Sequence, residues 1–122
     1  MTEVIFDSSF LMAVVERPTT WQQDIVEKIG GFQPVLLDCV GAELRELSSG
    51  RGKRSRTARV ALDMASDFNQ LPCGDAEVDD EIVSAAAGGR RLIATTDREL
   101  SRSASAARIP VITLRKGRVA LD

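Results

Sequence analysis

Short apolar runs rich in valine and isoleucine alternate along the chain with longer segments in which apolar residues recur at helical spacing. The apolar runs are Val4–Phe6, Val35–Leu37, Leu92–Ala94 and Val111–Leu114, the last interrupted by one threonine. A strand that is apolar throughout is buried on both faces, and strands that alternate with helices run parallel to one another. The pattern therefore predicts an α/β fold, a three-layer α/β/α sandwich whose central, mainly parallel sheet has four to five strands.

The helices follow from the spacing of the apolar residues and from the glycines and prolines that interrupt it. The predicted helices are Phe10–Glu16, Trp21–Ile29, Val40–Ser48 and Lys53–Ala65, and two further short strands are Phe68–Leu71 and Arg118–Leu121. A chain of 122 residues without repeats or linkers has room for one buried core. Residues 1–122 are therefore expected to form a single domain.

The composition excludes every site that depends on histidine, because the chain contains none. A Ser-His-Asp triad, a Cys-His dyad and an imidazole metal site cannot be built, so acid-base or metal chemistry must use carboxylates. The net charge is only −2, but the two kinds of charge are sorted into separate segments, an acidic one over 75–81 and a basic one over 51–59.

The N-terminus and the cysteines bear on the location of the protein. No apolar run approaches the ~18 residues of a membrane span, and Glu3 and Asp7 stand where a secretory signal would carry basic residues. We therefore expect no membrane contact and a cytoplasmic location. Cys39 and Cys73 lack the regular spacing of a disulfide framework, which predicts two buried free thiols in a reducing compartment.

Three predicted strands are each followed by an aspartate. Asp7 follows Val4–Phe6 directly, Asp38 follows Val35–Leu37, and Asp97 follows Leu92–Ala94 after two threonines. Ligands of an open parallel sheet bind beyond the carboxyl ends of the strands, where these residues fall. Helix capping is the ordinary explanation for an aspartate at such a position, and it is the preferred one for Asp38.

Two helices add further acids near the same edge of the sheet. Glu43 lies beside the apolar stripe of its helix, which begins at a strand end. Asp79 and Asp80 precede an apolar stripe at another helix N-terminus, and periodicity does not choose between them. Carboxylates that share a cleft repel one another, and a divalent cation removes that penalty. Oxygen ligands suit Mg²⁺ or Mn²⁺, and such a site predicts phosphoryl transfer with a metal-activated water.

Four segments, taken in order, resemble the acidic motifs of PIN-domain ribonucleases, and the resemblance covers essentially the whole chain. They read VIFDSSFL, VGAEL, DDEIVSAA and IATTDREL. Together with LLDCVGAELREL, LPC and IPVITL, they are similar to the archaeal relatives of the PIN nuclease that processes small-subunit ribosomal RNA. The resemblance implies an α/β/α sandwich that cleaves single-stranded RNA with Mg²⁺ or Mn²⁺, often as a homodimer.

The resemblance also implies roles for individual residues. The four acidic positions are Asp7, Glu43, Asp80 and Asp97, which would bind the metal, and Asp79 is a possible additional ligand. Ser9 and Thr95 match hydroxyl positions that would hydrogen-bond acids, water or phosphate. The expected catalytic set therefore combines these four acids with two hydroxyls.

RNA binding requires cations beside the acidic cleft, because the phosphate backbone dominates the affinity. The predicted RNA-binding residues are Arg51, Lys53, Arg54, Arg56, Arg59 and Arg98. A solvated helix face explains the basic segment about equally well. The chain has one Trp and no Tyr, so contacts to the RNA backbone should dominate over base stacking.

Two other functions remain open on the sequence alone. A VapC-like toxin ribonuclease would share the acids and would have an antitoxin as its partner, whereas an rRNA-processing enzyme would act on a ribosomal precursor particle. A non-catalytic RNA-binding factor for ribosome assembly would keep the fold without turnover. The complete set of acids argues against this last hypothesis, because a module that binds a polyanion gains nothing from concentrated negative charge.

Overall fold

The computed structural model describes residues 1–122 and arranges six strands in one sheet, with six helices connecting them. In chain order the elements are β1 (Thr2–Phe6), α1 (Ser8–Glu16), α2 (Trp21–Ile29), β2 (Phe32–Leu37), α3 (Asp38–Ser48), α4 (Lys53–Met64), β3 (Asn69–Leu71), α5 (Val78–Gly89), β4 (Leu92–Ala94), α6 (Arg98–Ala106), β5 (Val111–Arg115) and β6 (Arg118–Leu121).

The sheet has the strand order β3-β2-β1-β4-β5-β6, and every neighbouring pair is parallel except β5 with β6. At its centre, β1 pairs with β2 on one side and β4 on the other, so that Ile5 lies opposite both Val35 and Ile93. All three residues are completely buried, as strands covered on both faces require. The predicted α/β fold is confirmed, and both short strands join the sheet, which gives it six strands rather than four or five.

Most element boundaries match the prediction, and the differences have local causes. The bounds of α2 and β4 are those predicted. The helices α1 and α3 begin two residues earlier than predicted, because α3 starts directly after β2 and only Asp7 separates α1 from β1. The helix α6 was not predicted separately. It buries Leu100 and Ala104, and the rest of the helix consists mainly of Ser, Arg and Ala.

All five aromatic residues of the chain pack together around the last residue of β1. The ring of Phe6 lies 5.3–6.3 Å, between centroids, from the rings of Phe10, Trp21, Phe32 and Phe68. Contacts of this kind add to the stabilisation from burying the rings. The cluster therefore anchors the end of the strand that delivers Asp7.

An ion pair between the buried Asp24 and the exposed Arg118 joins α2 to the edge strand β6. Asp24 is 4% exposed and accepts hydrogen bonds from Nε and Nη2 of Arg118, at 2.9 and 3.0 Å. The hydroxyl of Thr20 and the N–H of Val119 also donate to it. The guanidinium of Arg118 is the main reason that the pKa of Asp24 is lowered from 3.8 to about 2. The pair fixes the only antiparallel strand against a helix.

The prediction of two free thiols is wrong, because Cys39 and Cys73 form a disulfide. Cys39 is the second residue of α3 and Cys73 follows β3, and the parallel pairing of β2 with β3 brings their Cα atoms within 5.9 Å. The bond ties the start of α3 to the segment that leads into α5.

None of the helices combines the length and apolar character that a membrane span requires.

Removing the disulfide should lower the free energy of unfolding by about 3–4 kcal/mol, because the bond closes a long loop in the unfolded chain. The two cysteines are separated by 34 residues. Urea unfolding with and without a reductant measures the difference. The Cys39→Ser/Cys73→Ser variant is the control and should show the lower stability under both conditions, since no other cysteine is present. A wild-type stability that reductant leaves unchanged would contradict the assignment.

Substituting Asp24→Asn should lower the stability near neutral pH, and the difference from wild type should vanish as the pH falls from about 4 to about 2. The folded pKa lies below the unfolded value of 3.8, so the ionised group stabilises the fold above that value and loses its effect as it is protonated. Thermal unfolding across this pH range measures the effect. Asp67→Asn is the control, since Asp67 is exposed. A wild-type advantage that stays constant through the window would refute the account.

Candidate active site

The ends of two neighbouring strands bring the first and last predicted acids together. Asp7 follows β1 and Asp97 lies three residues beyond β4, and these strands pair so that Phe6 lies opposite Ala94. The N–H of Asp7 continues the ladder by donating to the carbonyl of Ala94 at 2.9 Å. Both acids therefore lie at the carboxyl edge of the sheet, where the sequence placed them.

Asp7 is held by two hydroxyl groups. Its Oδ2 accepts from Ser9 Oγ at 2.6 Å and from Thr95 Oγ1 at 2.8 Å. Each hydroxyl oxygen in turn accepts a backbone N–H, from Thr96 and Asp97 respectively, so its own proton is free to point at the carboxylate. Asp7 is the N-cap residue of α1 but makes no capping bond. Capping therefore does not explain this buried acid.

The other oxygen of Asp7 is available to a ligand. Asp7 is 5% exposed, and its Oδ1 accepts no hydrogen bond within the chain. No buried side-chain nitrogen or oxygen of the protein lacks a partner, so Oδ1 must reach solvent. The carboxylate is thus fixed through one oxygen and open through the other.

Asp97 caps α6 through one carboxylate oxygen and leaves the other without a partner in the chain. It is the N-cap residue of α6, and its Oδ1 accepts from the backbone N–H groups of Glu99 and Leu100 at 2.8 and 3.2 Å. Capping accounts for that oxygen, and Oδ2 has no partner in the chain. Thr95, which is fully buried, links Asp97 to Asp7 because it accepts from the N–H of one and donates to the carboxylate of the other.

Glu43 enters the site from α3 and is half-buried. Its Oε1 accepts a hydrogen bond from Ser8 Oγ at 3.1 Å. Burial is the main reason that the pKa of Glu43 is raised; the Ser8 hydrogen bond lowers it, and the charge of Asp7 raises it further. Sequence reasoning assigned no role to Ser8, although its place next to the first acid, in the pair Ser8–Ser9, was a usable signal.

The two adjacent acids of α5 have different surroundings. Asp79 is half-buried and Asp80 is exposed. The pKa of Asp79 is raised, first by burial and then by the charges of Asp7, Asp97, Glu43 and Asp80. The carboxylate of Asp79 is therefore close enough to Asp7, Glu43 and Asp97 to be affected by their charges.

Asp38 is exposed and makes no capping bond, so the capping prediction for it is wrong.

The donor set suits a hydrated Mg²⁺ or Mn²⁺ better than a fully protein-liganded ion. No three acidic or cysteine side chains lie in an arrangement that could hold a metal ion as they stand. Mg²⁺ usually binds through one or two carboxylates and keeps several waters. Asp7 Oδ1 and Asp97 Oδ2, both without partners in the chain, provide oxygens of this kind.

The cations of the basic segment 51–59 have different surroundings. Arg59 donates to the carbonyl oxygens of Ser48 and Gly50, at 2.6 and 3.5 Å, and so binds the chain that leaves α3. Arg54 lines an open cleft that also includes Glu43. The remaining predicted cations, Arg51, Lys53, Arg56 and Arg98, are exposed.

The cleft beside Glu43 has a volume of about 650 Å³ and lies between the start of α1, the second half of α3 and the start of α4. Leu47 is the one hydrophobic residue of its lining, which consists of Ser8, Glu43, Glu46, Leu47, Ser49, Gly50 and Arg54. Sequence reasoning assigned no role to Glu46, which is exposed. The acids and the cleft thus form one continuous surface through Ser8 and Glu43.

Comparison with known proteins bears directly on this arrangement. The structure is similar to that of the PIN domain endonuclease Utp24, with a TM-score of 0.79 and 27% sequence identity over 98% of this chain and 90% of that chain. It also resembles a domain of a functionally unknown protein from Methanocaldococcus jannaschii DSM 2661, with a TM-score of 0.64 and 15% identity over 100% of this chain and 97% of that chain. This second likeness shows the fold alone. No curated protein matches the chain.

The family model described as PIN like domain matches residues 4–117, which is nearly the whole chain. It spans both strand ends, the helix that carries Glu43 and the start of α5. The resemblance predicted from the acidic motifs is confirmed. The chain belongs to the PIN-like domain family.

Proposed function

We propose that this protein is a metal-dependent endoribonuclease that hydrolyses phosphodiester bonds in single-stranded RNA. The observation that carries the proposal is the state of Asp7, a buried acid that is fixed through one oxygen by Ser9 and Thr95 and open through the other. Capping does not require this arrangement, whereas a metal ligand requires it, because hydrogen bonds from a surrounding shell orient the ligand. Similarity to the PIN domain endonuclease Utp24 supports the reaction class.

The proposed cofactor is Mg²⁺ or Mn²⁺, held by Asp7 and Asp97 together with water molecules, with Asp79 and Glu43 beside them. When bound, such an ion supplies an activated water and neutralises charge on the scissile phosphate. Ser9 and Thr95 keep the Asp7 carboxylate in one orientation, and Ser8 does the same for Glu43. We place Asp79 rather than Asp80 at the third acidic position, because Asp80 is exposed while Asp79 is half-buried beside the other acids.

The proposed RNA contacts are to the phosphate backbone. Arg54 lines the cleft next to Glu43, and Arg51, Lys53, Arg56 and Arg98 are exposed and free to contact phosphates on either side of the acids. Arg59 is better explained as a structural residue, because it already donates to two backbone carbonyls. All aromatic rings are packed around Phe6, so base stacking contributes little.

Processing of ribosomal RNA precursors is the proposed biological role. The resemblance of the acidic motifs to those of the rRNA-processing branch supports this role, and the similarity to Utp24 supports the endonuclease reaction. A homodimer is the proposed assembly, on the family resemblance alone. An antitoxin bound to the purified protein from its own host would instead assign the VapC-like role.

Substituting Asp7→Asn should reduce RNA cleavage in the presence of Mn²⁺ by at least about 100-fold, more than the loss of an outer-shell residue usually causes. The amide oxygen of asparagine can still accept both hydroxyls, so the fold should be kept. Cleavage of a labelled single-stranded RNA, together with thermal unfolding, measures the two effects. Asp38→Asn is the control at another strand end and should cleave like wild type. Equal cleavage by wild type and Asp7→Asn would exclude the proposed site.

The two neighbouring acids of α5 give a second prediction. Asp79→Asn should lower kcat/KM by about 10–100-fold, as expected for a residue that binds or directs a metal ligand. Asp80→Asn should have a much smaller effect because that carboxylate is exposed. Titration of each variant with Mn²⁺ by calorimetry should show weaker binding only for Asp79→Asn. A larger loss in the Asp80→Asn variant would assign the third acidic position to Asp80.

A further inference from the structure

The cleft of about 650 Å³ beside the acids has a size suited to a small ligand group. It shares Ser8 and Glu43 with the candidate active site and extends away from it along α3 to the start of α4. A nucleotide whose phosphate lies at the acids would therefore have its neighbour in or near this cleft. The lining decides what that neighbour can be.

Arg54 and Glu46 line the same cleft, but they do not form an ion pair. Neither side chain has a hydrogen-bond partner within the protein, and both are exposed. A ligand that carries an anion at one end and hydrogen-bond donors at the other would satisfy both charges. A nucleotide has this character, with its phosphate at one end and its base at the other.

Apart from Arg54, the polar side chains of the cleft, Ser8, Glu43, Glu46 and Ser49, present acceptors. The Ser49 hydroxyl donates to the carbonyl of Glu46 at 2.7 Å, and the Ser8 hydroxyl donates to Glu43 at 3.1 Å. Both hydroxyl protons are thus engaged, and their oxygens have only lone pairs left for a ligand. The carboxylates of Glu43 and Glu46 are acceptors as well. The cleft therefore favours a base that has hydrogen-bond donors on its edge.

We infer that this cleft binds a nucleotide next to the scissile phosphate and prefers guanine, with Glu46 accepting from the base and Arg54 binding a phosphate. The inference deepens the proposed function and rests on it, because RNA is the assumed ligand. Guanine presents two adjacent donors, N1–H and the N2 amine, to a carboxylate. Adenine and cytosine present one amine beside an acceptor nitrogen, and uracil presents one N–H between two carbonyls, which a carboxylate repels.

The test measures RNA binding separately from cleavage. Fluorescence anisotropy with Asp7→Asn protein compares a labelled ten-nucleotide oligouridine with the same oligomer carrying one guanosine or one inosine. Inosine lacks the N2 amine and keeps N1–H. We expect the guanosine oligomer to bind about 10-fold more tightly than oligouridine, which is the discrimination of a bidentate base contact. The inosine oligomer should fall between them.

Variants assign the two roles. Adding Glu46→Gln should bring the affinity for the guanosine oligomer down to that for oligouridine, whereas Arg54→Gln should weaken binding to all three RNAs by the same factor. Glu16→Gln, at the exposed end of α1, is the matched control and should keep the preference. Equal binding of the three oligomers, or a guanosine preference that survives Glu46→Gln with an unchanged melting temperature, would overturn the inference.

Failure of the inference and failure of the proposed function give different results. Wild-type protein that cleaves RNA with Mn²⁺ but shows no guanosine preference keeps the nuclease and refutes the guanine cleft. A guanosine preference that depends on Glu46 in a protein that cleaves none of the oligomers supports the cleft and refutes the nuclease. Absence of binding to every oligomer overturns both.

Discussion

One oxygen of Asp7 organises the candidate site. The hydroxyls of Ser9 and Thr95 reach it from α1 and from the end of β4, and backbone N–H groups of the following turn orient both hydroxyls. Asp7 and Thr95 each directly follow one of two paired strands, so these bonds exist only with Phe6 opposite Ala94. The orientation of the buried Asp7 carboxylate therefore depends on the register in which β1 pairs with β4.

The acids around Asp7 oppose folding unless something compensates for their charge. Burial and the neighbouring carboxylates raise the pKa values of Glu43 and Asp79, which means that the folded protein disfavours their ionised forms relative to water. The aromatic cluster around Phe6, directly before Asp7, helps to offset this cost, and the disulfide ties together the two segments that lead to Glu43 and Asp79. The ionised acids of the site therefore lower the stability of the fold, and the contacts around them compensate, as expected where charged groups are arranged for function.

Most of the fold could be predicted from the sequence, because burial leaves a periodic pattern of apolar residues within each element. Trp21–Ile29 and Leu92–Ala94 have the predicted bounds. The pairing of Cys39 with Cys73 could not be predicted, since it depends on two segments that are 34 residues apart in the chain and adjacent only through the sheet. The contacts of Arg59 could not be predicted either, because they depend on how α4 packs against the end of α3.

For the site, the sequence by itself determined that acids would collect at the carboxyl edge of a parallel sheet, because strand ends and helix starts can be located from local patterns. Asp7 and Asp97 lie there. Only the tertiary structure decided that Asp79 faces the other acids while Asp80 faces solvent, and that Ser8 holds Glu43. These choices depend on which surface each helix turns towards its neighbours. That orientation is set by packing between elements far apart in the chain, which no local spacing records.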